Sequence, residues 1–225
     1  DDFNAVLKSM PRKAVTLSAW VSISTPREWG GVIGALQDNG DNEKGWILGY
    51  DASTFYFGLS TSGADDGDGK MTYLKAKTKY RLGKFYHLAA VYDGKTMELY
   101  VNGKKESQSK EQSGDLLYPE SAPYVIGAYQ DANEFHPHHG RIREVQVYGE
   151  AAKAEWVAKE FAHNESLATE KWNEAEPSFQ VLVEPYLQFA TQTSMTVMWH
   201  TSLQASSVVR YGPTDACNQT IEGNA

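Results

Sequence analysis

Three imidazoles fall within the segment Phe135-His136-Pro137-His138-His139-Gly140. Imidazole is a good ligand for zinc, nickel and copper. On an extended chain His136 and His138 lie two apart and can face one side, which makes them a candidate metal pair. A stable site wants three or four ligands with supporting hydrogen bonds, and two imidazoles fall short of that. Two acidic loops offer hard oxygen ligands instead: Gln37 to Gly45 (QDNGDNEKG) and Ser62 to Lys70 (SGADDGDGK). Asp38, Asn39, Asp41, Asn42 and Glu43 in the first, and Asp65, Asp66 and Asp68 in the second, are of the type that binds Ca2+. Neither loop has the helix-loop-helix calcium spacing, and the same residue types form ordinary solvated turns. Trp29, in the loop Pro26-Arg27-Glu28-Trp29-Gly30-Gly31, offers a flat apolar face on which a sugar ring can stack. These residues give the candidate sites: Trp29, Asp38, Asn39 and Asp41 for carbohydrate, and Asp65, Asp66, Asp68, His136 and His138 for a metal. No Gly-x-Ser-x-Gly elbow is present, and nothing argues for Cys217 as a nucleophile. No catalytic residue is assigned. Asn218-Gln219-Thr220 is a formal glycosylation sequon.

The bulk numbers narrow the classes. The chain has 225 residues, 21 Lys or Arg against 29 Asp or Glu, and a net charge of −8. That acidic balance argues against a large nucleic-acid footprint. A single Cys excludes an intramolecular disulfide framework and any multi-cysteine zinc site. No apolar run reaches the roughly 18 residues a membrane span needs. The chain starts at Asp1 rather than Met and shows no signal peptide, so a mature, trimmed or engineered segment is expected.

The elements that must position these residues read as short strands. Val15 to Ser24 alternates apolar with Ser and Thr, the pattern of a half-buried strand. Strands follow at Val32 to Leu36, Trp46 to Tyr50, Thr54 to Leu59 and Met71 to Leu74. Phe85 to Lys105 reads as three strands joined at Asp93-Gly94 and Asn102-Gly103, dipeptides that favour tight hairpin turns. Tyr124 to Ala128 and Arg141 to Tyr148 are two more. Trp20 and Trp46 fall in strands and are expected in the core. Ala151 to His163 carries apolar residues at helical spacing and predicts a single helix. Glu165 to Ser178 is polar and acidic and reads as a linker, with a helical piece around Glu170 to Trp172. Strands resume at Gln180 to Val183, Ser194 to His200 and Ser206 to Tyr211.

Several runs together resemble the laminin-G-like, concanavalin-A-like jelly roll: LSAWV at 17–21, YHLA at 86–89, VYDG at 91–94, LYVNGK at 99–104, VIGA at 125–128 and GRIREVQVY at 140–148. The resemblance covers about the first 165 residues. It implies an all-β jelly-roll sandwich with one helix at its carboxyl end, a fold that hosts lectins, glycosidases and adhesion modules alike. Many members hold structural calcium through an Asp where this chain has Arg143, so that site is expected to be lost. The family's first strand normally precedes Asp-Asp-Phe, the point where this chain begins. His87 matches the family's aromatic-His pair and is expected to be a hydrogen-bonded structural residue. His139 stands where the family has a bulky residue before Gly, which implies packing. Glucanases of this fold carry Glu-x-Asp-x-x-Glu on one strand, and that triplet is absent here.

The tail resembles a second family. PYLQ at 185–188, TSMTVMWHT at 193–201 and VVRYG at 208–212 look like the start of the fibronectin-III-like amino-terminal domain of purple-acid-phosphatase-type metallophosphoesterases. That family's dinuclear metal site is built from Asp, His and Asn in a catalytic domain, and its motifs are absent from this chain. The expected organisation is a jelly roll at 1–165, a linker at 166–179 and a partial fibronectin-like domain at 180–225. The expected function is a non-catalytic amino-terminal module of a secreted or periplasmic metallophosphoesterase. Its expected partners are a polysaccharide or cell-surface polymer and its own catalytic domain. The alternative is an adhesion or assembly module that pairs through its incomplete β domain.

Overall fold

Val15, Leu17, Ala19, Val21 and Ile23 occupy alternate positions of β1 (Val15–Ile23), and all five enter the core. The computed structural model describes residues 9–169, 181–188, 191, 193–194, 196–201, 207–214 and 218–223. The chain divides into two compact units, Asp1–Trp172 and Asn173–Ala225.

In the first unit β1 is followed by β2 (Gly30–Asp38), β3 (Glu43–Tyr50), β4 (Thr54–Leu59) and β5 (Thr72–Lys79). Then come β6 (Phe85–Tyr92), β7 (Met97–Val101) and β8 (Lys104–Ser109). The last strands are β9 (Val125–Ile126), β10 (Ala128–Gln130), β11 (Phe135–Pro137) and β12 (Gly140–Tyr148). Two five-stranded sheets result, ordered β12-β1-β6-β7-β8 and β5-β4-β3-β2-β9, with β10 and β11 as a separate hairpin. This is the jelly-roll sandwich that the sequence predicts. Between the sheets the alternate residues of β1 and β6 meet Trp46, Leu48, Tyr50, Phe55, Phe57 and Leu59 of the opposite sheet. Each such side chain contributes about 1.5–3 kcal/mol by leaving water.

The β6-β7-β8 meander forms as expected. Asn102 and Gly103 both take positive φ, 50° and 73°, which matches the strand twist in a two-residue turn. Three details differ from the sequence reading. Tyr124 to Ala128 is not one strand: Gly127 turns at φ 85°, and the chain leaves the sheet for the β10-β11 hairpin. The helical region is two helices, α1 (Ala154–His163) and α2 (Glu165–Thr169), so the polar stretch read as linker opens as helix. The piece expected around 170–172 lies outside the described residues.

The third difference is β1 itself, which is buried along all nine residues rather than on one side. The two helices cover its outward face. Trp20 stacks on Phe161 of α1 at 5.7 Å, and Leu167 of α2 packs with Trp20 and Phe85. His87 lies under the same cover, 1% exposed, with its Nε2 2.9 Å from Ser18 Oγ. Its environment is apolar, with Trp20 at 5.3 Å and Phe161 at 6.2 Å. Arg143, where the resemblance implies a calcium-binding Asp, places its guanidinium 5.3 Å over the Phe85 ring.

The second unit contains two antiparallel hairpins. β13 (Val181–Gln188) pairs with β14 (Thr196–Thr201), and β15 (Ser207–Tyr211) pairs with β16 (Gln219–Gly223). β16 adds a strand to those read from sequence. Cys217 lies outside the described residues.

Two outcomes follow from the helical cover. Leu167→Ala should lower unfolding stability by about 2–3 kcal/mol in a urea titration, as expected for truncating a buried leucine. Burial lowers the pKa of His87 from 6.5 to about 4. The unfolded chain therefore takes up a proton below pH 6.5 that the folded chain refuses until about pH 4. His87's contribution is complete above pH 6.5 and declines by about 3 kcal/mol as pH falls toward 4. His87→Gln should remove that part of the decline when melting is followed across this window.

Candidate functional site

Glycines and tyrosines share the outward face of the second sheet. One cross-strand row runs Gly31, Gly49, Tyr56, Lys75, and the next runs Gly34, Ile47, Gly58, Tyr73. The glycines let rings lie against backbone. A Cβ on Gly49 would sit 2.6 Å from the Tyr56 ring, and one on Gly58 would sit 2.8 Å from the Tyr73 ring. Glycine in a strand interior commonly marks such a close approach. Trp29 packs on this floor. Its ring centroid is 5.4 Å from Tyr73, 6.0 Å from Tyr56 and 5.8 Å from Tyr129 of β10. Trp29 does not stand free in its loop: it is half-buried, held by three tyrosines.

Beside Trp29 opens a groove of about 300 Å³. Trp29, Tyr56 and Tyr73 form its apolar wall, and Glu28, Asp51, Ser53 and Lys75 its polar rim. Asp51 is fixed by its neighbours. Its Oδ1 accepts from the Ser53 and Thr54 amides at 2.8 and 2.9 Å, and its Oδ2 accepts from Lys75 Nζ at 2.8 Å. Partial burial pushes the Asp51 pKa up, but the Lys75 bond and the two amides outweigh it and hold the group below its ordinary value. Burial raises the Tyr73 and Tyr56 pKa values strongly, and the nearby Tyr129 phenol and Asp38 carboxylate add to the effect. Both phenols therefore stay protonated donors. Tyr73 donates to Asp38 Oδ2, and Tyr56 donates to the Gly30 carbonyl at 3.1 Å.

The structure joins two of the four carbohydrate candidates. Trp29 and Asp38 meet through Tyr73. Asn39 instead donates to Gln37 Oε1 at 3.3 Å, and that oxygen also accepts from the Ala132 amide. Asp41 is exposed in the loop. Among the metal candidates, Asp65 Oδ1 accepts from the Gly67 and Gly69 amides, which closes its own turn and lowers its pKa. Asp66 is exposed and Asp68 half-buried. The loops are tied to each other: Glu43 N donates to Asp68 O, and Glu43 Oε2 accepts from the Met71 amide. His136 and His138 take different partners. His136 faces Tyr129 at 6.0 Å and Glu134 at 4.0 Å, whereas His138 Nδ1 is 3.0 Å from the Tyr50 hydroxyl. His139 is exposed and bonds Arg27 at 2.9 Å, so it does not pack as the resemblance implies. Among the described residues no group of three or more His, Cys, Asp or Glu is arranged to hold a metal ion.

Sequence reasoning missed Tyr56, Tyr73, Asp51 and Lys75. The signal was the set of glycines inside otherwise apolar strands, of which Gly49 and Gly58 stand opposite Tyr56 and Tyr73. A larger groove, about 500 Å³, lies beside the start of α1 between Tyr148 and Trp156. Its charged rim (Glu150, Lys153, Glu155 and Lys159) is exposed and of balanced sign, whereas the Trp29 groove has anchored rings and a fixed ion pair. We therefore place the site at Trp29. No helix among the described residues is long and apolar enough to cross a membrane.

Known proteins agree with this architecture. Pappalysin-1 of Mus musculus is 32% identical over 121 residues, which is 49% of this chain and 7% of that protein. The Homo sapiens protein is 31% identical over the same length and shares. The chain thus spans a small part of the curated relatives it matches. Two solved structures share the fold. The carbohydrate-binding module CBM40 of the Ruminococcus gnavus IT-sialidase, bound to alpha2,3 sialyllactose, superposes with a TM-score of 0.54 at 14% identity. It is matched over 70% of this chain and 86% of its own. A native heptameric SAP-like pentraxin from Limulus polyphemus gives 0.50 at 19% identity, over 69% of this chain and 74% of its own. A family model described as the concanavalin A-like lectin/glucanases superfamily matches residues 2–158, and with its two five-stranded sheets this chain belongs to that superfamily.

Proposed function

We propose that this chain is a carbohydrate-binding accessory module whose glycan sits in the Trp29 groove. The observation that carries the reading is the anchoring of the Trp29 ring by Tyr56, Tyr73 and Tyr129 beside a fixed Asp51–Lys75 pair. A pre-positioned aromatic face loses little freedom on binding, and the rim supplies donors and acceptors for sugar hydroxyls. The fold is shared with a sialidase module solved with a bound sialyllactose, which supports the reading. Asp51, held below the ordinary carboxylate range by Lys75, is suited to accepting hydrogen bonds and poorly suited to general-acid work.

In this proposal the module serves a secreted or periplasmic metallophosphoesterase whose catalytic domain supplies the dinuclear metal site. The support is the tail: PYLQ, SMTVMW and VVRYG resemble the start of that family's fibronectin-like domain, and β13 carries PYLQ, β14 TVMW and β15 VVRY. Metal-ligand motifs in the sequence coded after Ala225 would establish the parent, and a stop codon there would remove it. The chain itself should show no phosphatase turnover with zinc, iron or manganese. The adhesion alternative draws on exposed Leu187, Val208 and Ile221 in the second unit. A strictly monomeric chain in light scattering over a concentration series would count against it.

For the binding reading, a glycan array followed by calorimetry on the full chain should identify a ligand. Trp29→Ala should weaken it about tenfold or more while melting as the parent does within a few degrees. Absence of binding to every polysaccharide would leave only a packing role.

A further inference from the structure

The basic residues of this acidic chain are unevenly placed. Residues 69–92 carry six Lys or Arg and no Asp or Glu, although the whole chain has a net charge of −8. Three of them, Lys75, Lys77 and Lys79, are the exposed residues of β5, alternating with buried Ala76 and half-buried Thr78. Successive lysines along such a strand lie roughly 6.5–7 Å apart. This row begins at the groove. Lys75 is on the rim, and Lys79 Nζ donates at 3.0 Å to Ser53 Oγ, another rim residue. Tyr73, on the same strand, is part of the groove wall. Among the described residues Lys75 has Asp51 as its ion-pair partner, and neither Lys77 nor Lys79 has a carboxylate partner.

Lysines on an edge strand commonly serve to prevent strands from pairing between molecules. Here that task is already performed by another residue. The amides of Lys77 and Thr78 both donate to Glu106 Oε2 at 2.8 Å, so the exposed backbone donors of this part of β5 are capped. Beyond the Lys75–Asp51 pair and the Lys79–Ser53 bond, the ammonium row has no partner among the described residues, and edge protection does not depend on it. Holding like charges along one strand next to an aromatic groove costs repulsion, and an anionic ligand relieves it.

We infer that the glycan bound in the Trp29 groove is an acidic polysaccharide, bearing carboxylate or sulfate groups, which runs out along β5 and has its charges met by Lys75, Lys77 and Lys79. This rests on the carbohydrate-binding reading and names the ligand class for that site. The test uses the full chain and three probes: polygalacturonate, dextran sulfate and uncharged dextran, each titrated at low and high ionic strength. Polygalacturonate or dextran sulfate should bind more tightly than dextran, and salt should weaken that binding. The double variant Lys77→Gln/Lys79→Gln should lose about tenfold for the acidic polymer and much of its salt dependence. The charge-keeping Lys77→Arg/Lys79→Arg variant should restore both. Preference for the carboxylated or the sulfated polymer distinguishes the two sources of charge. Dextran bound as well as the acidic polymers, with Trp29→Ala damaging both, would overturn the inference and leave the groove reading standing. Acidic binding that survives the double Gln variant would overturn the inference as well. Binding of no polymer, or binding indifferent to Trp29→Ala, would overturn both.

Discussion

The inward side chains of two antiparallel sheets close on one another, and successive residues of a strand must point to opposite faces. Placing Leu17, Ala19 and Val21 of β1 against Trp46, Leu48 and Phe57 of the other sheet leaves every second residue facing outward. What the outward residues meet then decides what each face can do. The inter-sheet packing supplies the large, non-specific part of the stability. Function is confined to positions the core does not use.

The two outward faces are used differently. On the first sheet α1 and α2 lie over Trp20, Ser18 and His87, and the face becomes a second core. An imidazole enclosed there is held neutral and ties stability to pH. On the second sheet no helix among the described residues packs over the Trp29 cluster. Glycines at 49 and 58 let Tyr56 and Tyr73 lie on the backbone, Trp29 packs on those rings, and a groove with a charged rim remains open. The same pleat therefore yields one face sealed by helices and one face with an open groove.

The acidic loops illustrate how polar residues are absorbed by structure. Asp65 closes its own turn, Glu43 takes the Met71 amide, and Glu106 caps the edge of β5. Carboxylates that look like ligands by composition are here acceptors for backbone donors that would otherwise lack partners. The ammonium groups of β5 show the reverse arrangement. Lys75 and Lys79 hold rim residues Asp51 and Ser53, and Lys77 beside them has no carboxylate partner among the described residues.

Some of this was legible in order along the chain. Alternation in Val15 to Ser24 marked β1, Asn102-Gly103 marked a hairpin turn, and the sandwich followed from strand count and spacing. Such features are local, because period and turn geometry depend on neighbouring residues. Trp29 was singled out in its loop, but its surroundings were not legible. Its partners Tyr56, Tyr73 and Tyr129 come from three different strands, and strand order and register across a sheet are not written in any one segment. The same holds for β1: its Ser and Thr positions looked solvent-facing until the helical cover lay over them. Sequence by itself determined where strands run and turn. Tertiary structure alone decided which outward faces were sealed, because contact between distant strands depends on how the sheets and helices pack.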